Sequence, residues 1–173
     1  TGGIVIAAKT AEGLRVMNQK IRDRELKKYY LCIVHGTLPR PAGRLEGYIL
    51  KDEAKKQVTV SSRPRPGAKT AVTLYETLAV RNGLSLVRCQ LITGRTHQIR
   101  AQFAAAGHPL LGDGKYGSER QNKRYGRSYQ ALYSYRLEFC FTTDAGALAP
   151  LDGQQFQVEQ VDFVTEYFPG FSL

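Results

Sequence analysis

The stretch from Leu84 to Arg100, LSLVRCQLITGRTHQIR, passes from a β-rich segment into the start of a helix. Its first half, Leu84 to Ile92, is preceded by a second β-rich segment, Ala71 to Val80, and Asn82-Gly83 lies between the two. Both turn residues tolerate positive φ, so this pair is a strong signal for a type I′ turn. The sequence therefore predicts a β-hairpin.

The second half of the stretch predicts a helix that begins near Thr96. Ile99, Phe103 and Ala106 recur at helical spacing and are expected on one face of that helix. Gly107 follows them, as is common where a helix ends. The hairpin is thus expected to lead into a helix.

The segments before the hairpin predict a strand, a helix and a second, buried strand. Gly3 to Ala8 reads as a short apolar strand, and Thr10 can cap the helix that comes next. Leu26 to Gly36 is apolar on both faces, which is typical of a strand in the centre of its sheet. The predicted helix carries three apolar residues at helical spacing, Leu14, Met17 and Ile21.

The other segments predict further short strands and loops. Leu45 to Leu50 and Gln57 to Ser61 flank a charged bend, and Gln130 to Phe141 returns to a strand pattern. Leu110 to Arg127 is predicted to be a loop, and Phe156 to Phe163 a strand or a short helix. Many strands with two helices indicate one α+β domain, with a mainly antiparallel mixed sheet and a few flanking helices.

The composition limits the class of protein. With 173 residues, 42% of them hydrophobic, the chain can form one compact domain, and no apolar stretch is long enough to cross a membrane. Lysine and arginine exceed aspartate and glutamate by ten, which indicates a polyanionic partner such as nucleic acid. The three cysteines lack CxxC spacing and predict neither a disulfide framework nor a metal site: Cys32, Cys89 and Cys140.

Basic residues at the start of the second helix are the first candidates for a functional site. Arg95, His97 and Arg100 would each oppose the helix macrodipole by a few tenths of a kcal/mol, roughly. Their guanidinium groups and the free N–H groups of the first turn could together receive a carboxylate or a phosphate. The alternative is a solvated helix end.

Tyr30 is the second candidate, because a tyrosine in a central strand must direct its hydroxyl to a partner or into a cleft. Most buried tyrosines are core residues, so a structural role stays open. Lys28 precedes it on the same face and could place a cation at the cleft rim or lie in solvent.

Two polar segments come after the second helix. Asp113 lies between glycines, where an aspartate more often bonds its own backbone than acts in catalysis. Basic residues alternate with aromatic ones from Lys115 to Tyr129, and arginines also occur at Arg63 and Arg65. Phosphate contacts combined with stacking are typical of RNA binding, although such charged runs are usually solvated loops.

Several of these motifs together resemble the signature of the RluA-type RNA pseudouridine synthases. The signature consists of the run Leu91 to Arg100, then Gly107-His-Pro-Leu110, Gly112-Asp113 and Tyr116-Gly117. Three further segments occur in the order of this family: Lys28-x-Tyr30-x-Cys32-x-Val34-x-Gly36, Ala71-x-Thr73-x-Tyr75, and Leu132 to Phe139. The similarity extends over nearly the whole chain.

The first residues, Thr1 to Ile4, resemble the segment directly after the His-Arg-Leu-Asp motif of this family. The resemblance implies that residues 1–173 form a single partial catalytic domain. The nucleophilic Asp would lie just upstream of Thr1, together with a preceding strand and any RNA-binding domain. We therefore expect the complete protein to be an enzyme and this chain alone to be inactive.

The resemblance also implies residue roles. Tyr30 matches the residue that packs on the target base and assists proton removal, and Arg100 matches the arginine that pairs with the nucleophilic Asp. Both are expected to be catalytic. Substrate-binding roles are expected for Lys28, Arg95, Thr96, His97, Gln98 and Leu132.

The implied reaction converts a flipped uridine of structured RNA into pseudouridine without cofactor or metal. Ribosomal RNA is the expected substrate, with transfer RNA second, and we expect a cytoplasmic monomer that does not enter the membrane. One alternative is a noncatalytic RNA-binding domain on the same fold. Another is a hydrolase built on His97, His108 and Asp113, which lacks an activated nucleophile.

Overall fold

The computed structural model describes residues 1–173 and contains one eight-stranded mixed sheet flanked by helices. The strands are arranged in the order β1-β7-β2-β6-β5-β3-β4, and β8 also pairs with β7. Only the β1–β7 pair is parallel, so the predicted α+β fold with a mainly antiparallel sheet is confirmed. The strands are β1 (Gly2–Gly3), β2 (Leu26–His35), β3 (Ala42–Asp52), β4 (Gln57–Ser61), β5 (Lys69–Arg81), β6 (Leu84–Leu91), β7 (Leu132–Phe139) and β8 (Gln155–Gln157).

Four α-helices and one 3₁₀ helix cover the sheet, and none of the helices is long and apolar enough to span a membrane. The first two α-helices correspond to the two that the sequence predicts, and the other two are short, with six residues each. The helices are α1 (Ala11–Arg22), α2 (Gln98–Ala105), α3 (Glu119–Arg124), the 3₁₀ helix Gly146–Leu151, and α4 (Asp162–Tyr167).

The predicted hairpin is present as β5 and β6. Asn82 and Gly83 have φ values of 51° and 73°, as the type I′ turn requires. The hairpin places the Thr93-Gly94 loop at the end of β6 that lies away from this turn. The start of α2 is therefore held at one end of the sheet.

Strand β2 lies in the middle of the sheet, between β7 and β6, as its sequence predicts. Leu31 to Val34 are fully buried because both faces of the strand are covered. On one face, Cys32 and Val34 pack with Ile99 and Phe103 of α2. On the opposite face, Leu31 and Ile33 pack against residues that include Val161, Phe163 and Val164.

The predicted strand from Gly3 to Ala8 is wrong in extent. Only Gly2–Gly3 pairs with β7, and the side chains of Val5 and Ile6 are exposed. A Cβ on Gly3, whose φ is +108°, would lie 2.1 Å from Ser134 O. The close approach of β1 to β7 thus requires glycine, and the apolar residues after it do not continue the strand.

Helix α1 begins after Thr10, whose Oγ1 accepts a hydrogen bond from Gly13 N at 3.0 Å, as predicted for an N-cap. Its predicted apolar face is only partly correct, because Met17 is buried while Leu14 and Ile21 are 53% and 39% exposed. The second buried position of α1 is Lys20.

Two boundaries in the second half of the chain also differ from the prediction. Helix α2 begins at Gln98 rather than near Thr96, since His97 is its N-cap with a left-handed φ of 53°. The predicted loop from Leu110 to Arg127 contains the short helix α3, whose polar sequence has no apolar periodicity to reveal it. The late segment forms both β8 and α4, where one of the two was expected.

All three cysteines are free thiols. The Sγ atoms of Cys32 and Cys89 lie 3.7 Å apart in the core between β2 and β6. Burial raises the pKa of the Cys89 thiol, so this side chain behaves as a small apolar residue.

Candidate active site

The loop before α2 is shaped by the buried amide of Gln98. Its Oε1 accepts hydrogen bonds from Arg95 N at 3.0 Å and from Thr93 Oγ1 at 2.8 Å. Its Nε2 donates to Val72 O at 3.0 Å and to Thr73 Oγ1 at 2.9 Å. Every donor of this amide is used, which leaves it no free N–H for a ligand. Gln98 therefore holds the loop and helix against β5.

Arg100, in the first turn of α2, pairs with Asp113 in a bidentate ion pair. Its Nε and Nη2 donate to the two carboxylate oxygens at 2.7 and 2.8 Å. Asp113 is fully buried, and its Oδ1 also accepts hydrogen bonds from the backbone N–H groups of Lys115 and Tyr116. The carboxylate is therefore held by backbone, and it holds the guanidinium in turn.

The electrostatics of this pair favour the charged forms. Burial alone would raise the pKa of Asp113, but the Arg100 hydrogen bond and the two backbone N–H groups outweigh it and lower the pKa. The hydrogen bond to Asp113 raises the pKa of Arg100. The pair occupies Nε and Nη2 and leaves Nη1 of Arg100 without a hydrogen-bond partner in the chain. The Arg100 side chain is 12% exposed and lines the neighbouring cleft.

His97 lies beside this pair. Its Nδ1 is 2.9 Å from the hydroxyl of Tyr116, which accepts a hydrogen bond from Val58 N at 2.9 Å. The Tyr116 hydroxyl thus links His97 to the backbone of β4, and Nε2 of His97 has no hydrogen-bond partner within the chain. Burial, then Arg100 and Lys115, lower the pKa of His97, so the imidazole is neutral at pH 7.

A cleft of about 250 Å³ lies beside the start of α2. Thr1 contributes to its wall. A β-bulge in the pairing of β2 with β7 lies between Tyr29 and Tyr30, and such bulges re-aim the side chains next to them. Six of the eight residues predicted for the site line this cleft: Tyr30, Arg95, His97, Gln98, Arg100 and Leu132.

The two other predicted residues lie next to the cleft rather than in its wall. Lys28 is half-buried, with its Nζ 3.3 Å from the position that a Cβ on Gly94 would take. Burial lowers the pKa of Lys28. Thr96 is exposed and lines a second, neighbouring groove.

The prediction that basic residues crowd the first turn of the helix needs correction. Because α2 begins at Gln98, Arg95 and His97 precede the helix and only Arg100 lies in its first turn. Arg100 is moreover already paired within the chain, with Asp113. The sequence reasoning identified an anion-binding group correctly but missed this partner.

Asp113 and Tyr116 contact the site, but the predicted synthase site did not include them. Asp113 does bond its own backbone, as predicted for a turn between glycines, and it also binds Arg100. Tyr116 contacts both basic groups, with its ring 5.2 Å from the Arg100 guanidinium carbon. Their four-residue motif, Asp-x-x-Tyr, was visible in the sequence, but nothing local indicated which side chains it would meet.

A larger cavity of about 420 Å³ opens on the opposite face of the sheet, where Tyr29, Arg88 and Arg136 contribute to its wall. Its two arginines form ion pairs with Glu76 and Glu138. No guanidinium there is oriented by a buried carboxylate in the way that Arg100 is. The smaller cleft is thus the better candidate for chemistry.

The hydrolase alternative finds no convergent site. His97 and His108 lie at opposite ends of α2, and His108 Nδ1 is 2.9 Å from His35 O. Asp113 is occupied by Arg100. No three side chains of the metal-ligating types lie close enough together to hold an ion.

Residues 1–105 match the model of a family described as RNA pseudouridylate synthase. This chain belongs to that family. The matched region includes β2 with Tyr30, the hairpin and nearly all of α2, so it carries most of the cleft wall.

Two bacterial members of the family illustrate the similarity. The chain is 37% identical over 144 residues to an RNA pseudouridine synthase of Mycoplasma genitalium, covering 80% of this chain and 44% of that protein. It is 31% identical over 148 residues to the ribosomal large subunit pseudouridine synthase C of Escherichia coli, covering 82% and 45%. The chain thus spans less than half the length of these relatives.

The solved structure of human RNA pseudouridylate synthase domain containing 4 has the same fold. It superimposes with a TM-score of 0.67 at 22% identity, covering 89% of this chain and 65% of that one. Human RNA pseudouridylate synthase domain containing 1 gives a TM-score of 0.65 at 19% identity, with 92% and 72% covered. The fold is therefore that of the pseudouridine synthase catalytic domain.

Proposed function

We propose that this chain is the larger part of the catalytic domain of an enzyme that isomerises uridine to pseudouridine in structured RNA. The observation that carries the proposal is the cleft in which Tyr30, His97 and Leu132 surround the oriented guanidinium of Arg100. Family membership supports the reaction class. Ribosomal RNA is the proposed substrate, as the name of the Escherichia coli relative suggests, and we propose that the enzyme acts as a cytoplasmic monomer.

The nucleophile would be the Asp of the His-Arg-Leu-Asp motif, just upstream of Thr1 in the complete protein. Thr1 lines the cleft, and an extended chain covers about 3.5 Å per residue, so an Asp a few residues away is within reach of the cleft. We propose that Nη1 of Arg100 pairs with this carboxylate while Asp113 keeps the guanidinium in place. An ionised Asp can then attack the flipped nucleotide.

The reaction exchanges one bond for another. The Asp attacks the sugar or the base, the bond between C1′ and N1 breaks, and the uracil rotates. The bond between the Asp and the nucleotide then breaks as a bond forms between C1′ and C5, which regenerates the carboxylate. The hydrogen on C5 leaves as a proton, and N1 gains a proton. The product is an isomer of the substrate, so the chemistry needs no oxidant, reductant or cofactor.

Two further cleft residues have proposed roles in this sequence. The ring of Tyr30 would pack on the flipped base, and its hydroxyl would assist removal of the C5 proton. Neutral His97, whose Nδ1 is engaged with Tyr116, would form a hydrogen bond to the nucleotide through Nε2. Arg95, Lys28 and Thr96 would contact the backbone around it.

The test uses the full-length parent protein on total RNA from a strain that lacks it. Wild-type protein is expected to form pseudouridine at a defined uridine, and Arg100→Ala and replacement of the upstream Asp are expected to abolish it. Arg44→Ala is the matched control, because Arg44 pairs with Glu46 at an exposed position away from the cleft. Well-folded parent protein that binds RNA but forms no pseudouridine would instead indicate the noncatalytic RNA-binding domain.

A further inference from the structure

A second groove adjoins the cleft and shares a wall with it. This side groove, of about 200 Å³, is lined by residues that include Lys51, Lys69, Arg95 and Thr96. Arg95 also lines the cleft, and its Nε donates to Thr70 O at 3.0 Å. This hydrogen bond fixes the guanidinium on the ridge between the two depressions, where its remaining N–H groups face solvent.

The side groove ends at the basic loop, residues 63–69, which follows β4 and includes Lys69, the first residue of β5. Ser61 Oγ donates to Arg63 O at 2.9 Å and accepts from Arg63 N at 3.2 Å. The second half of the loop forms a turn, in which Ala68 N donates a hydrogen bond to Arg65 O at 3.0 Å. The loop also contains two prolines, which restrict its backbone further. Little conformational entropy therefore remains to be lost when a ligand binds.

The cations of this loop have no acidic partner. The ion pairs of the chain do not include Arg63, Arg65 or Lys69, whereas Lys51 at the groove wall pairs with Glu53 at 2.7 Å. Lys69 lines the side groove together with Arg95, and Arg63 and Arg65 precede it on the same loop, so unpaired cations extend from the rim of the cleft along this loop. A polyanion with regularly spaced charges complements this arrangement.

A flipped nucleotide remains covalently joined to both of its neighbours, so the RNA backbone must leave the cleft over its rim. The ridge at Arg95 is the part of the rim that leads to further unpaired cations. We infer that the side groove and the basic loop bind the RNA backbone on one side of the target uridine. Arg95 contacts the phosphate nearest the cleft, and Lys69, Arg65 and Arg63 contact those beyond it. This inference rests on the function proposed above.

The test measures how the affinity of full-length protein for oligo(rU) depends on salt. Each phosphate contact on single-stranded RNA contributes about 0.7 to the slope of log affinity against log salt. The triple variant Arg63→Gln/Arg65→Gln/Lys69→Gln is expected to lower that slope by about 2. In assays of pseudouridine formation on total RNA, the same variant should raise KM and leave kcat within about twofold.

The matched control removes three exposed cations from α1 and the turn after it, as Arg15→Gln/Arg22→Gln/Arg24→Gln. Met17 of α1 packs with Leu137 and Phe139 of β7, whereas β3 and β4 lie at the other edge of the sheet. This variant is expected to leave the slope nearly unchanged. An equal decrease in both variants would mean diffuse attraction by net charge and would overturn the inference, as would no decrease in the loop variant.

The two proposals can fail separately. Oligo(rU) binding is measured without catalysis, so the salt slopes decide the role of the loop even if the parent protein forms no pseudouridine. Conversely, the loop variant could form pseudouridine with an unchanged salt slope and an unchanged KM. That result would establish the enzyme and show that the basic loop does not bind its RNA.

Discussion

Arg100 reaches the cleft already oriented. Its Nε and Nη2 are bound by Asp113, and the carboxylate is bound by the N–H groups of Lys115 and Tyr116. A guanidinium held in this way loses little rotational freedom when it meets an anion through its third nitrogen. The ion pair thus fixes the position of the Arg100 guanidinium and also stabilises its charge.

The first prediction at this scale concerns Asp113→Asn. The amide nitrogen of asparagine would face the N–H of Arg100 Nε, so one hydrogen bond and the countercharge are both lost. We expect kcat of the full-length protein to fall by a factor on the order of 10 to 100. We also expect the free energy of unfolding to fall by about 2–3 kcal/mol, since one partner of a buried pair is removed.

Kinetics and urea unfolding measure these two effects. Glu46→Gln is the control, because it breaks the exposed Arg44–Glu46 pair and should cost less than about 1 kcal/mol without changing kcat. Unchanged kcat in Asp113→Asn would show that Arg100 does not need this orientation.

At the scale of elements, α2 is docked through polar contacts as well as apolar ones. Gln102, one turn after Gln98, donates to Leu45 O at 3.2 Å and to Ala71 O at 3.1 Å. Its Oε1 accepts from Thr73 Oγ1 at 2.7 Å. Two buried amides at helical spacing therefore determine where α2 lies on β5 and β3, and so where Arg100 points.

The prediction at this scale concerns Gln102→Leu. We expect it to destabilise the fold by about 1–3 kcal/mol, because buried carbonyls and the Thr73 hydroxyl lose a partner. The double variant Thr73→Val/Gln102→Leu should cost less than the sum of the single variants, since both groups of one hydrogen bond are then apolar. Urea unfolding of the wild type, the two single variants and the double variant measures this coupling. The exposed substitution Gln19→Leu is the control. Additive costs would contradict the coupling.

For the whole molecule, a buried ion pair connects the first helix to the segment after β7. Lys20 is 1% exposed, and its Nζ donates to Glu25 Oε2 at 2.6 Å and to Thr143 O at 2.6 Å. Glu25 also accepts from the hydroxyls of Thr142 and Thr143. The hydrogen bonds from Lys20 and then Thr142 lower the pKa of Glu25 from 4.5 to about 2.

This shift predicts an acid-dependent loss of stability. The folded state holds the pKa of Glu25 below its ordinary value, so the stabilisation is complete above about pH 4.5 and is lost as the pH falls through about 2. Glu25→Gln should be less stable than wild type at neutral pH, and the difference should shrink over this range. Urea midpoints at successive pH values measure it.

The pKa of Asp113 is also lowered, but Asp113 is present in both the wild type and Glu25→Gln. The difference in stability between these two proteins therefore reports on Glu25. Glu119→Gln, in the exposed pair with Lys123, should show little difference at any pH. A difference between Glu25→Gln and wild type that is constant with pH would contradict the assignment.

Much of the fold could be predicted from the sequence because the patterns that specify it are local. The Asn82-Gly83 turn, the N-cap at Thr10 and the apolar run of β2 each depend on a few neighbouring residues. The errors have one origin. The Gly3 to Ala8 segment and the apolar face of α1 obey local rules, but the backbone of β7 and the Lys20–Glu25 pair determined what those segments bury.

The sequence by itself determined the family and the α+β class, and it predicted roles for Tyr30 and Arg100, because motif order and hydrophobic periodicity are properties of the chain alone. Only the tertiary structure decided that Asp113 binds Arg100, that Gln98 holds the loop and that Arg95 separates two grooves. These contacts join segments that are distant in the chain or turned by loops. Their formation depends on the packing of α2 against the sheet, which no local pattern encodes.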